Sequence, residues 1–101
     1  MKPSNAGSLK MDEVLWMLDD TLNNRGDDYG TPEDNFRRIA QMWSDWLGVT
    51  VDAKDVGAML VLLKIARLRN KPDHFDSFLD IAGYAIATIE AAKLKPKPEK
   101  E

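Results

Sequence analysis

The chain has 101 residues, of which 44% are hydrophobic and 31% charged, the profile of a single folded domain and not of a disordered segment. Its formal charge of −3 gives no basic surplus for gripping duplex nucleic acid, and the lack of cysteine removes disulfides, thiolate nucleophiles and thiolate metal sites together. No apolar run reaches the ~20 residues of a membrane span and no basic-then-apolar leader opens the chain, so the expectation is a cytoplasmic protein with no membrane partner.

Residues 1–9 are polar, hold Pro3 and Gly7, and read as a flexible lead-in. From about Lys10 to Asn24, apolar residues recur at Met11, Val14, Leu15, Leu18 and Leu22, the spacing of one face of an amphipathic helix. Asn23, Asn24 and Gly26 tolerate left-handed backbone and are expected to close it. A second helix opens at Thr31-Pro32-Glu33-Asp34: threonine caps free amides, proline suits the first turn, and two acids suit the positive end of the helix dipole. Phe36, Ile39, Ala40, Trp43, Trp46 and Leu47 form its apolar face, and Gly48 ends it.

The third helix starts near Asp52 and runs to about Asn70. Its Val56–Leu63 stretch is almost unbroken apolar sequence, which predicts a helix surrounded by the others. Pro72 breaks it. A fourth helix follows from about Asp73 or His74 to Lys93, with Phe75, Phe78, Leu79, Ala82, Ile86 and Ile89 expected inward. From Leu94 the tail alternates lysine and proline and reads as disordered. No strand pattern or internal repeat is evident. The predicted architecture is an all-α, four-helix-bundle-like domain over residues 10–93.

Among polar residues Lys64 stands out, because it interrupts the most apolar helix, with Arg67 three positions on. Asp76, Asp80 and Tyr84 recur every four residues along the next helix. If the two stripes face each other, Lys64 and Arg67 can neutralise a ligand's phosphates while Asp76 and Asp80 hold a divalent metal. The same residues equally suit a structural ion pair between Lys64 and Asp80. The segment Arg25-Gly26-Asp27-Asp28-Tyr29-Gly30 is a second candidate: as a loop it would feed the N-terminus of helix two, with Arg25 adding charge and Tyr29 able to stack on a base. It lacks the GKS/T ending of a P-loop. Asn35, Arg37 and Arg38 lie on helix two beside Trp43 and Trp46, which suit the core or a subunit interface. The lone His74 sits at a helix start, where capping or a surface position is the simple reading, and it has no positioned nucleophile.

The string Arg25-Gly26, Tyr29-Gly30, Pro32-Glu33, Asn35-Phe36 and Arg38-Ile39-Ala40, then Trp43 and Leu47-Gly48, is one of three ordered motifs. The others are Asp55-Val56 with Leu62-Leu63-Lys64-Ile65-Ala66-Arg67, and Asp76-Ser77 with Asp80-Ile81-Ala82-Gly83-Tyr84-Ala85. Over about residues 24–87 they resemble a family of short proteins encoded by tailed phages and prophages. That family is in turn distantly similar to the MazG-like all-helical nucleotide pyrophosphohydrolases and dimeric dUTPases. Those enzymes hold magnesium with Glu-x-x-Glu on one helix and Glu-x-x-Asp on a later one. Asp76 and Asp80 stand near the second motif, spaced by four and not three; the first is missing, and Lys64 stands where an acid is wanted.

The resemblance implies a phosphate-bearing nucleotide as ligand. Arg25, Tyr29, Asn35, Arg38, Lys64, Arg67 and Tyr84 would bind it, Asp76 and Asp80 would hold Mg²⁺, and Glu33 would orient water or act as base. Hydrolysis between phosphates is one expectation. Binding without turnover, as in sequestering a host immune signalling nucleotide, is another, and an inhibitor or scaffold acting on a host protein through Trp43 and Trp46 is a third. A host cytoplasmic location and a homo-oligomer accompany all three, the latter because the apolar third helix calls for a covering subunit.

Overall fold

A computed structural model describes residues 8–98, apart from the side chains of residues 25–29. Four helices follow in order: α1 (Met11–Tyr29), α2 (Pro32–Leu47), α3 (Ala53–Asn70) and α4 (Phe75–Ala91). No strand occurs among the described residues, and the domain is all-α as its periodicity predicts.

The start of α2 follows its sequence signals. Thr31 Oγ1 accepts the Asp34 amide at 3.1 Å, with Pro32 in the first turn. Gly48 ends the helix in the left-handed region (φ 74°, ψ 17°), its amide donating to Ser44 O at 2.9 Å. Ser44 then ties down the connection, its Oγ accepting the Val51 amide at 2.8 Å and donating to Val51 O at 3.2 Å. That tie delivers Asp52 to the head of α3, where Asp52 and Asp55 each accept the other's amide, at 3.1 and 3.0 Å.

α1 does not stop near Asn24. It continues through Gly26 to Tyr29, and Gly30 (φ 79°) turns the chain, so the expected Arg25–Gly30 loop is the last part of a helix. A glycine inside a helix costs only about 1 kcal/mol relative to alanine, and no proline here removes an amide hydrogen.

The core lies between α2, α3 and α4, where Phe36, Ala40, Val56, Ala87 and Ala91 are buried with Ile39, Trp43 and Leu60 packed against them. α1 rests on this unit through buried Leu18, which with Leu22 lies over Gly83 of α4. Met11 and Leu15 of α1, and Trp46 and Leu47 of α2, belong to the apolar faces that the spacing predicts, yet all four are exposed.

The two apolar helices depart furthest from expectation. α3 is not surrounded: Met59, Leu62, Leu63 and Ile65 are exposed. On α4, Phe75, Phe78, Ile86 and Ile89 point outward, and Ser77, Gly83, Ala87 and Ala91 are the buried residues. The reason is steric. α3 and α4 approach so closely that a Cβ at Gly57 would fall onto the Thr88 side chain, and only small side chains fit such a seam.

Candidate functional site

Gly57 meets Thr88 and Lys64 meets Asp80, so α3 and α4 run antiparallel with their polar residues turned toward each other. Lys64 Nζ lies 2.8 Å from Asp80 Oδ2, with the two side chains 11% and 18% exposed. Taking both charges out of water is costly, and their mutual attraction offsets that cost only while both are present. The pairing considered from the sequence is therefore formed. Arg67 and Asp76 are exposed, and Tyr84 is half-buried one turn beyond Asp80.

A phosphate at this point would have to compete with Asp80 for the ammonium. A divalent cation would have to displace Lys64 from the carboxylate, so Asp76 and Asp80 do not fit an open magnesium site. Among the described residues, no group of three or more His, Cys, Asp or Glu side chains is placed to hold a metal ion. Nearby, His74 caps α4: its Nδ1 accepts the Ser77 amide at 3.3 Å and, in the Nε2-protonated tautomer, the buried Ser77 hydroxyl at 2.7 Å. This is the simple role its position suggested.

A second polar locus is an open cleft of about 600 Å³ between α2, the α2–α3 connection and the end of α4. Glu33 lines it, alone of the sequence-derived site residues among the described residues. Glu33 Oε1 receives Arg37 Nη2 at 3.1 Å and Lys93 Nζ at 3.6 Å, while Arg37 also reaches Asp34 Oδ1 at 3.7 Å. The Glu33–Arg37 spacing of one helical turn was readable. Lys93, just past α4 at a left-handed φ of 55°, carries no sequence signal for this place because tertiary packing brings it there. Asp52 also lines the cleft, and the hydrogen bond from Lys54 (3.0 Å), then the Asp55 amide, holds its carboxyl below the ordinary pKa; Asp52 raises that of Lys54 in turn.

The third feature is the outer stripe of α2. Arg38, Met42 and Trp46 follow at four-residue intervals, all exposed, and Trp46 presents 89% of its surface. Trp43, by contrast, is half-buried against the core, and Asn35 is half-buried in the second turn. The Arg25 and Tyr29 side chains lie outside the described residues. Among the described residues, no helix is long and apolar enough to cross a membrane.

Fold and surface together define a small all-α domain with a closed internal ion pair, a polar cleft and a tryptophan-bearing outer stripe. Over residues 13–92 the chain matches the Domain of unknown function (DUF6378), and it belongs to that family. It is 40% identical over 74 residues to the Gene 55 protein of Mycobacterium phage L5, covering 71% of this chain and 47% of that one. To the Gene 55 protein of Mycobacterium phage D29 it is 43% identical over 61 residues, covering 60% and 40%. The chain thus spans less than half the length of these relatives. Its kinship is with phage proteins, as the ordered motifs on three helices suggested. No solved structure matches it.

Proposed function

We propose that this phage-type domain is a protein-binding module that engages a phage or host protein through the outer stripe of α2. The observation that carries the reading is Trp46, 89% exposed on a well-capped helix beside exposed Met42 and Arg38. Trp, Met and Arg are the residue types enriched in interfaces and at their energetic centres. Burying an indole of roughly 150–250 Å² at ~25 cal/mol per Å² is worth about 4–6 kcal/mol before association costs. The matching surface is an apolar pocket with an acidic rim, which takes the ring and pairs with Arg38.

The test is a photo-cross-linking amino acid at Met42 in phage-infected cells, with adducts identified by mass spectrometry. One adduct is expected, and Trp46→Ala should remove it while leaving helicity and Tm unchanged. Undiminished cross-linking in Trp46→Ala would overturn the reading.

A second reading, nucleotide binding, is favoured by the cleft beside Glu33. Its size falls within the ~300–1,000 Å³ typical of small-molecule sites, and Arg37 and Lys93 are two cations able to turn from Glu33 to a phosphate. A nucleotide held there would raise Tm according to its concentration relative to Kd, and Arg37→Ala would abolish the shift. A ligand held instead at Lys64 and Asp80 would respond to Asp80→Ala and not to Arg37→Ala. Screening with and without Mg²⁺, then chromatography of the released ligand, separates sequestration of an intact signalling nucleotide from MazG-like hydrolysis to a monophosphate and pyrophosphate. A flat Tm with every nucleotide removes this reading.

A further inference from the structure

The outer surfaces of α3 and α4 share one spacing. On α3, Asp55, Ala58, Leu62, Ile65 and Arg69 follow at alternating steps of three and four and are all exposed. On α4, Phe75, Phe78, Ala82, Ala85 and Ile89 repeat the same steps, with only Ala82 half-buried. Alternating three-and-four spacing of apolar residues is the seam by which one helix packs along another. Leu62 precedes Lys64 by two residues and Phe78 precedes Asp80 by two, about 200° around each helix, so each seam faces away from the other helix and the two lie on opposite sides of the α3–α4 pair.

The exposed area is large. On α3, Leu62 is 60% exposed, and Met59, Leu63 and Ile65 are similarly bare. Together these four side chains present on the order of 350 Å² of apolar surface, the size of patch that is often functional.

We propose that a second copy of this chain covers the α3 face, with α3 crossing its symmetry mate on a two-fold axis at Leu62. The charges at the ends of the seam point to that occupant. Asp55 lies seven residues before Leu62 and Arg69 seven after, each ~10.5 Å from it along the helix. An antiparallel two-fold pairing sets every residue n positions before the axis against the one n positions after it. Asp55 then meets Arg69 of the partner subunit, and Arg69 meets Asp55 of the partner subunit, while a shallow crossing of about 20° keeps both pairs within reach. Parallel pairing would instead set like charges against each other. The proposal is independent of the Trp46 and nucleotide readings, since none of these residues lines either locus.

The absence of native cysteine makes the test direct. Light scattering of the full chain at tens of micromolar should give twice the monomer mass, and Trp46→Ala should leave it unchanged. Leu62→Cys should form an intermolecular disulfide under mild oxidation at least about tenfold faster than Thr50→Cys on the exposed α2–α3 connection, because the axis sets position 62 against itself. Arg69→Glu should weaken association about fivefold or more, and adding Asp55→Lys should restore it. A monomeric wild type, or equal oxidation rates for the two cysteine variants, overturns the proposal. So does a charge swap that fails to restore association while circular dichroism shows the helices intact.

Discussion

α2 and α3, of 16 and 18 residues, pack side by side over one core yet sort their residues in opposite ways. α2 turns Phe36 and Ala40 inward and Arg37, Arg38 and Gln41 outward. α3 turns Lys64 inward and Leu62, Leu63 and Ile65 outward. On α2, transfer of apolar surface out of water decides the orientation. On α3 the deciding terms are the close fit of Gly57 to Thr88 and the pairing of Lys64 with Asp80, and both hold only in one rotation of the helix. Apolar residues left outside by that rotation are available to a partner. Hydrophobicity alone therefore does not say which side of an all-apolar helix faces its own chain.

The comparison can be broken at several points. Phe36→Ala removes a side chain that is 3% exposed from the α2 side of the core and should cost about 3–5 kcal/mol in urea unfolding. If it costs no more than Trp46→Ala, which should fall within about 0.5 kcal/mol of wild type, α2 is not sorted as described. Lys64→Met removes the ammonium that faces the Asp80 carboxylate between the helices and should cost about 3 kcal/mol, whereas the double variant Lys64→Met/Asp80→Leu should return to wild-type stability or exceed it. Equal losses in the single and double variants would mean that the pair is not what orients α3.

Gly57→Ala should destabilise by about 1–3 kcal/mol, against a helix propensity that favours alanine, because the added methyl meets Thr88. A stabilised variant would show that α3 and α4 do not approach so closely. Thr31→Ala should cost about 1 kcal/mol by freeing the Asp34 amide. The smallest effect is acid dependence at the head of α3. The carboxyl of Asp52 is held below its ordinary value when folded, so its contribution is complete above that value and fades as pH falls through it toward the lowered one. Tm should decline less between neutral pH and about pH 3 in Asp52→Asn, which keeps a capping oxygen but does not titrate there.

Much of the fold was legible because its signals are local. Thr31-Pro32 and Gly48 mark the ends of α2 through amide capping and positive φ, Asp52 and His74 start the next two helices, and the 3.6-residue period identifies each helix without reference to the others. The exception is the end of α1, where Gly26 permits a stop and does not impose one. Of the candidate site, the Lys64–Asp80 pairing was open to view because a lysine set inside an apolar run needs an acid nearby. The cleft was not, since Lys93 reaches Glu33 across some sixty residues of sequence.

The sequence by itself determined the all-α class, four helices and most of their limits, the residues able to carry charge inside, and kinship with phage proteins. Only the tertiary structure decided how α3 and α4 are rotated about their own axes, and with that which large apolar side chains remain outside. The physical reason is that periodicity fixes which residues share a face, whereas the choice of face follows from steric fit and charge pairing between segments far apart in the chain.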